Sequence, residues 1–166
     1  ISYVFFGGGD VRVYSTALQS ERTLAFGGVP ATVEINADPP TIAGAKLGVV
    51  GFCMGGQLAL FAATLNPAIG ACVNFYGIHP NVKPNYAKLT GPVLGLYAEK
   101  DGFVTPQVAR EVEAAIKAAG KSVDTHIYPG VDHGFFNDER PGVHNASAAQ
   151  DAWRRTLDFF AKHLKR

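Results

Sequence analysis

The chain is short of most features that would place it outside an ordinary globular fold. Its 166 residues hold two cysteines, too few at this length for a disulfide framework. Charged residues make up 17% of the chain, with 15 Lys and Arg against 14 Asp and Glu, and no basic stripe is present. A nucleic-acid groove therefore has no electrostatic footing. Uninterrupted apolar runs last only a few residues, far below a membrane span. Neither G-x-G-x-x-G nor the full G-x-x-x-x-G-K-[ST] pattern occurs, so the phosphate-cradling fingerprints are missing. No basic-then-apolar leader pattern opens the chain, which favours the cytoplasm. Residue 1 is Ile rather than Met, so a processed or truncated start is also expected.

What is present is an apolar fraction of 47%, enough to fill a core, arranged in alternating short and long segments. KLGVVGF (46–52), ACVNFY (71–76), PVLGLYA (92–98) and Ser122–Tyr128 read as buried strands. Between them, Gly55–Leu65 reads as a helix stopped by Asn66-Pro67. A second helix starts at Thr105-Pro106, carries Val108, Val112, Ala115, Ile116 and Ala119 at helical spacing, and stops at Gly120. The last runs from about Ser147 with Trp153, Leu157, Phe160 and Leu164 on one side. Alternation of this kind predicts an α/β fold with a mostly parallel sheet flanked by helices. The first 41 residues differ. Glycine-rich turns at 7–10 and 27–30 separate strand-like pieces at 3–6, 11–14, 23–26 and 31–35, which predicts hairpins rather than strand–helix units. We read 1–166 as a single domain, with 1–41 an atypical β-rich segment and 42–166 the half that carries the chemistry.

The sharpest motif is Gly51-Phe52-Cys53-Met54-Gly55-Gly56, between a strand and a helix. A G-x-nucleophile-x-G turn reverses the chain so tightly that flanking side chains would collide, and it leaves the nucleophile projecting from the sheet edge. The helix N-terminus behind it favours a thiolate, and the Met54 N–H is a natural oxyanion donor. Asp101 follows the third of the later strands and His133 the fourth. Both loops belong to the sheet edge that carries Cys53, in the chain order nucleophile, acid, histidine. In that reading His133 is the base and Asp101 orients it. Asp132 is a weaker acid candidate because adjacent side chains rarely face each other. Glu99 reads as a solvated neighbour, Cys72 as a small buried hydrophobe, and His126, His144 and His163 as structural or solvent-facing. Phe52, His79, Phe103, Phe135 and Arg140 lie in or beside these loops and are the substrate-contact candidates. For His79, a plain loop position is the competing reading.

With these positions placed, the stretches KLGVVGFCMGGQLAL, ACVNFYGIHP, GPVLGLYAEKDGFVTP, HIYPGVDHGFFNDERP and WRRTLDFFAKHL resemble the dienelactone hydrolase family, a branch of the α/β-hydrolases. The resemblance implies a Cys53–His133–Asp101 triad that hydrolyses an enol-lactone or small carboxylic ester through a thioester. It implies no metal and no organic cofactor. Family members normally place three strands and two helices before the nucleophile strand, more than 1–41 can hold. Their second oxyanion donor comes from that early half. Here Phe5-Phe6-Gly7-Gly8-Gly9 is either its replacement or a plain hairpin turn. One arginine that holds a substrate carboxylate in the lactone-specific members is Asn137 here, with Arg140 nearby.

Two other functions compete. Gly51–Gln57 also fits G-x-C-x-G-x-Q of glutamine amidotransferases, but His133 lacks the following x-Glu. The short N-terminal part also suits a catalytically weak fold kept for binding or assembly. A small-molecule ester or lactone is the expected partner, with no nucleic acid and no membrane. Self-association is expected as well, because a shortened sheet leaves an edge to cover.

Overall fold

The computed structural model describes residues 2–7, 10–15, 20–25 and 46–164, with side chains from residue 46 onward. Seven strands form one sheet: β1 (Ser2–Gly7), β2 (Asp10–Ser15), β3 (Ser20–Ala25), β4 (Leu47–Phe52), β5 (Ile69–Phe75), β6 (Val93–Ala98) and β7 (Val123–Tyr128). Their spatial order is β3-β2-β1-β4-β5-β6-β7. From β1 through β4, β5 and β6 to β7 every neighbouring pair is parallel. β1–β2 and β2–β3 are antiparallel, so the expected hairpins add three strands to the parallel half. The expected strand at 31–35, the glycine turn at 27–30 and Gly8-Gly9 lie outside the described residues.

Alternation along the parallel strands sorts side chains onto two faces. Val50, Val73, Leu94 and Leu96 point to the face covered by the long helix α3 (Ala146–Leu164), where they pack with Ala148, Ala152 and Phe160. Their neighbours Val49, Cys72 and Val93 point to the other face. There they meet Ala59, Leu60 and Ala63 of helix α1 (Met54–Leu65) and Ile116 of helix α2 (Pro106–Ala118). Both faces are covered, which is why these strands read as continuous apolar runs.

Local signals set the helix ends. The Thr105 side chain accepts from the Val108 N–H, and Pro106 takes the first helical position. At the other end of α2, Gly120 adopts φ 72, its N–H donates to Lys117 O, and the Lys121 N–H donates to Ile116 O. This is the paired Schellman pattern that glycine permits. Asn145 Oδ1 accepts from the Ala148 N–H at the start of α3. Among the described residues no helix is long and apolar enough to cross a membrane.

Candidate active site

Three loops leave the carboxyl ends of β4, β6 and β7 and converge. The first is the turn at Cys53, which sits at φ 54 and ψ −128, a conformation that L-residues rarely adopt. It is held by Cys53 N–H donating to Phe75 O and by Gly56 N–H donating to Cys53 O. Its tightness explains the glycines. A Cβ on Gly51 would lie 1.9 Å from Gly55 O, a backbone atom that cannot swing away. The strain is confined to one residue and presents the thiol at the N-terminus of α1.

The second loop follows β6. Asp101 Oδ1 accepts the N–H groups of Phe103 (2.7 Å) and Val104 (2.8 Å), which folds the chain back and buries the carboxylate. Val104 turns into the core while Phe103 turns outward. The third loop follows β7. Gly130 and Gly134 have φ of 67 and 78, and the turns they allow bring His133 back over the sheet edge.

The structure brings Cys53, His133 and Asp101 together. The carboxylate can only accept, so the His133 Nδ1–H donates to Asp101 Oδ2, at 2.6 Å. This fixes the tautomer and leaves Nε2 facing the Cys53 sulfur at 3.3 Å. The hydrogen bond to His133 lowers the Cys53 pKa, the Met54 backbone N–H adds to this, and partial burial opposes it. The same contact raises the His133 pKa, helped by Asp101 and opposed by burial. Both shifts favour a thiolate–imidazolium pair. Cys72 differs in every respect: full burial pushes its thiol far up, out of reach of ordinary titration.

The remaining candidates are scattered around this centre. Phe103 is 81% exposed, with its ring 5.4 Å from the His133 ring, and Met54 is 51% exposed at the nucleophile turn. Phe52 stacks on Phe75 at 4.3 Å and packs against Phe136. Phe135 is fully buried against Tyr76 and Tyr128, so it supports the histidine loop from below and offers no surface to a ligand. His79 is a loop residue whose Nδ1 accepts the Asn81 N–H. Arg140 is exposed, and its Nη1 lies 3.6 Å from where a Cβ on Gly134 would be. Asp132 is exposed, whereas Asp101 is buried against the imidazole. Gln57 donates from Nε2 to Val82 O, which ties α1 to the loop after β5.

Two residues have contacts that the sequence reading did not assign to them. Glu99 is exposed, yet its carboxylate accepts the Gly130 N–H at 2.7 Å and ties the acid loop to the histidine loop. Tyr76, at φ 39, packs its ring 5.0 Å from the His133 ring. Neither has a local sequence signature, since both depend on partners 31 and 57 residues away in the chain.

Known proteins resemble most of this chain. The model of the dienelactone hydrolase family matches residues 10–164. A provisionally named carboxymethylenebutenolidase of Yersinia pestis is 38% identical over 127 residues, covering 71% of this chain and 47% of that protein. Another from Saccharolobus solfataricus is 42% identical over 120 residues, 72% of this chain and 46% of that one. The crystal structure of a provisionally named dienelactone hydrolase from Klebsiella pneumoniae superposes with a TM-score of 0.64 at 32% identity. That match covers 70% of this chain and 52% of the other. The chain thus spans about half the length of the relatives it matches. By the extent of the family match and the identity to these relatives, it belongs to the dienelactone hydrolase family.

Proposed function

We propose that the chain carries the reactive centre of a cysteine hydrolase that opens an enol-lactone or cleaves a small carboxylic ester through a thioester. The observation that carries this reading is the unbroken relay from Asp101 Oδ2 to His133 and on to the Cys53 sulfur. A thiolate at Cys53 attacks the ester carbonyl, and the carbonyl π electrons move onto oxygen. The Met54 N–H, at the start of α1, is the donor to that oxyanion in this mechanism. Collapse expels the alkoxide or enolate, which takes the proton from the His133 Nε2–H and leaves a Cys53 thioester. His133, now neutral, deprotonates the water that attacks the thioester, and loss of thiolate releases the acid. Asp101, held by two backbone N–H groups, keeps the imidazole in one tautomer and stabilises its charged form.

Exposed apolar side chains at Met54 and Phe103 suit an uncharged, apolar part of the substrate. A free thiol nucleophile suits a reducing compartment such as the cytoplasm. Self-association belongs to the same proposal, because β7 ends the described sheet with an open edge. A strictly monomeric size over a wide concentration range would refute it.

The test is hydrolysis of an activated ester, p-nitrophenyl acetate, by the wild-type protein and Cys53→Ala. The hydrolase reading expects turnover that disappears with the thiol. Equal rates at background level from both would favour a binding or assembly role.

A further inference from the structure

We infer that the Asn74 carboxamide is a positioning residue for the reactive pair, acting through the turn Asn74–Gly77. This rests on the hydrolase reading only in so far as Cys53 and His133 are the pair being positioned. Asn74 is fully buried near the end of β5, where an apolar side chain would be expected. All three of its observed hydrogen bonds are directed. Oδ1 accepts the Gly77 N–H at 2.8 Å, while Nδ2 donates to Gly77 O at 3.0 Å and to the Tyr97 hydroxyl at 3.3 Å. One side chain therefore grips both backbone polar groups of a single residue three positions on.

That residue and its neighbour touch both halves of the pair. Gly77 is wedged against the nucleophile turn: a Cβ there would fall 2.5 Å from Cys53 O and 2.6 Å from Gln57 N. Tyr76, forced to φ 39 by the same turn, lays its buried ring 5.0 Å from the His133 ring in an edge-to-face arrangement. Asn74 also abuts α1 directly, since a Cβ on Gly56 would meet Asn74 Oδ1 at 2.1 Å. The clamp thus sets the separation of sulfur and imidazole from behind without touching either. Releasing it lets the Gly77 backbone and the Tyr76 ring shift. Displacements near 1 Å at a reactive centre are enough to cost on the order of 10²-fold in rate.

The experiment compares wild type with Asn74→Ala and the equal-volume Asn74→Asp, which keeps an acceptor for the Gly77 N–H and loses the donor to Gly77 O. Three quantities are read: the pH dependence of Cys53 alkylation by iodoacetamide, kcat and KM for p-nitrophenyl acetate, and near-UV circular dichroism as a check on folding. Folded variants should show the alkylation midpoint moved up toward the free-thiol value of about 8.5. Their kcat should fall by about 10- to 100-fold, with KM changed by about threefold or less. Folded variants that keep the wild-type midpoint and kcat overturn the inference. Should neither fold, Tyr76→Leu carries the test, because it keeps the clamp but removes the ring beside His133; an unshifted midpoint there also overturns it. Alkylation needs no ester. A wild-type thiol that reacts at low pH while the protein hydrolyses nothing would therefore remove the hydrolase reading and leave the clamp standing.

Discussion

Asp101 and His133, held 2.6 Å apart, belong to two loops that are also stitched together through their backbones. Glu99 N–H donates to Tyr128 O at 3.0 Å and Lys100 N–H donates to Val131 O at 2.9 Å, extending the β6–β7 ladder past the strand ends. The Glu99 carboxylate adds the Gly130 N–H. The contact is therefore preorganised by the sheet, and its geometry does not depend on the ion pair alone.

Removing the acid's charge while keeping its shape should disarm the base. Asp101→Asn can present its amide nitrogen to the His133 Nδ1 and favour the wrong tautomer. Ester turnover should fall by on the order of 10³- to 10⁴-fold, with near-UV circular dichroism unchanged. A loss of less than about tenfold in steady-state kcat would show that the carboxylate does not orient the histidine.

The two shifted pKa values define a pH window. The thiol lies below its ordinary value and the imidazolium above its own, so the two shifts widen the pH range in which thiolate and imidazolium coexist. Alkylation of Cys53 should already be fast below about pH 8.5, the free-thiol midpoint. Replacement of the base by His133→Gln should move that midpoint up. The stability sign follows. His133, raised on folding, contributes stability below its unfolded pKa that is lost as pH rises through the folded value. Cys53, lowered on folding, contributes stability above its unfolded pKa that is lost as pH falls through the folded value. Alkylation profiles and thermal melts across pH read both effects.

Gly51→Ala should be destabilising and inactive together. The added methyl meets a backbone oxygen at 1.9 Å, so the turn itself must move. Overpacking of this kind costs about 1–3 kcal/mol, and the melting temperature should drop accordingly. Near-native melting and activity would mean that the tight elbow is not required.

Phe103→Ala should separate binding from folding. The ring is mostly solvent-exposed, so stability should change by about 0.5 kcal/mol or less. The ring also stands beside His133, so KM for an aryl ester should rise several-fold, up to about tenfold, with kcat nearly constant. An unchanged KM across acetyl, butyryl and aryl esters would exclude it from the substrate surface.

The parallel half was legible because each of its signals is local. Thr105-Pro106 and Gly120 bracket α2 as read, and the glycines around Cys53 report a turn too tight for side chains. Chain order and strand ends were enough to bring Asp101 and His133 toward Cys53. What escaped was long-range. The Asn74 amide inside an apolar strand, the Tyr76 ring behind the histidine and the Glu99 carboxylate on Gly130 all acquire their roles from partners supplied by the fold. Phe135 was misjudged for a related reason: a residue two places after His133 sits beside it in sequence, but the Gly134 turn sends it into the core.

The most direct measurement is mass spectrometry of the protein quenched in acid during turnover of p-nitrophenyl acetate. One acetyl group should appear on the peptide that contains Cys53, build up as p-nitrophenolate is released, and disappear on further incubation. The Cys72 peptide should stay unmodified. Hydrolysis that proceeds with no acyl group on Cys53, at a rate that Cys53→Ala reproduces, would contradict the account.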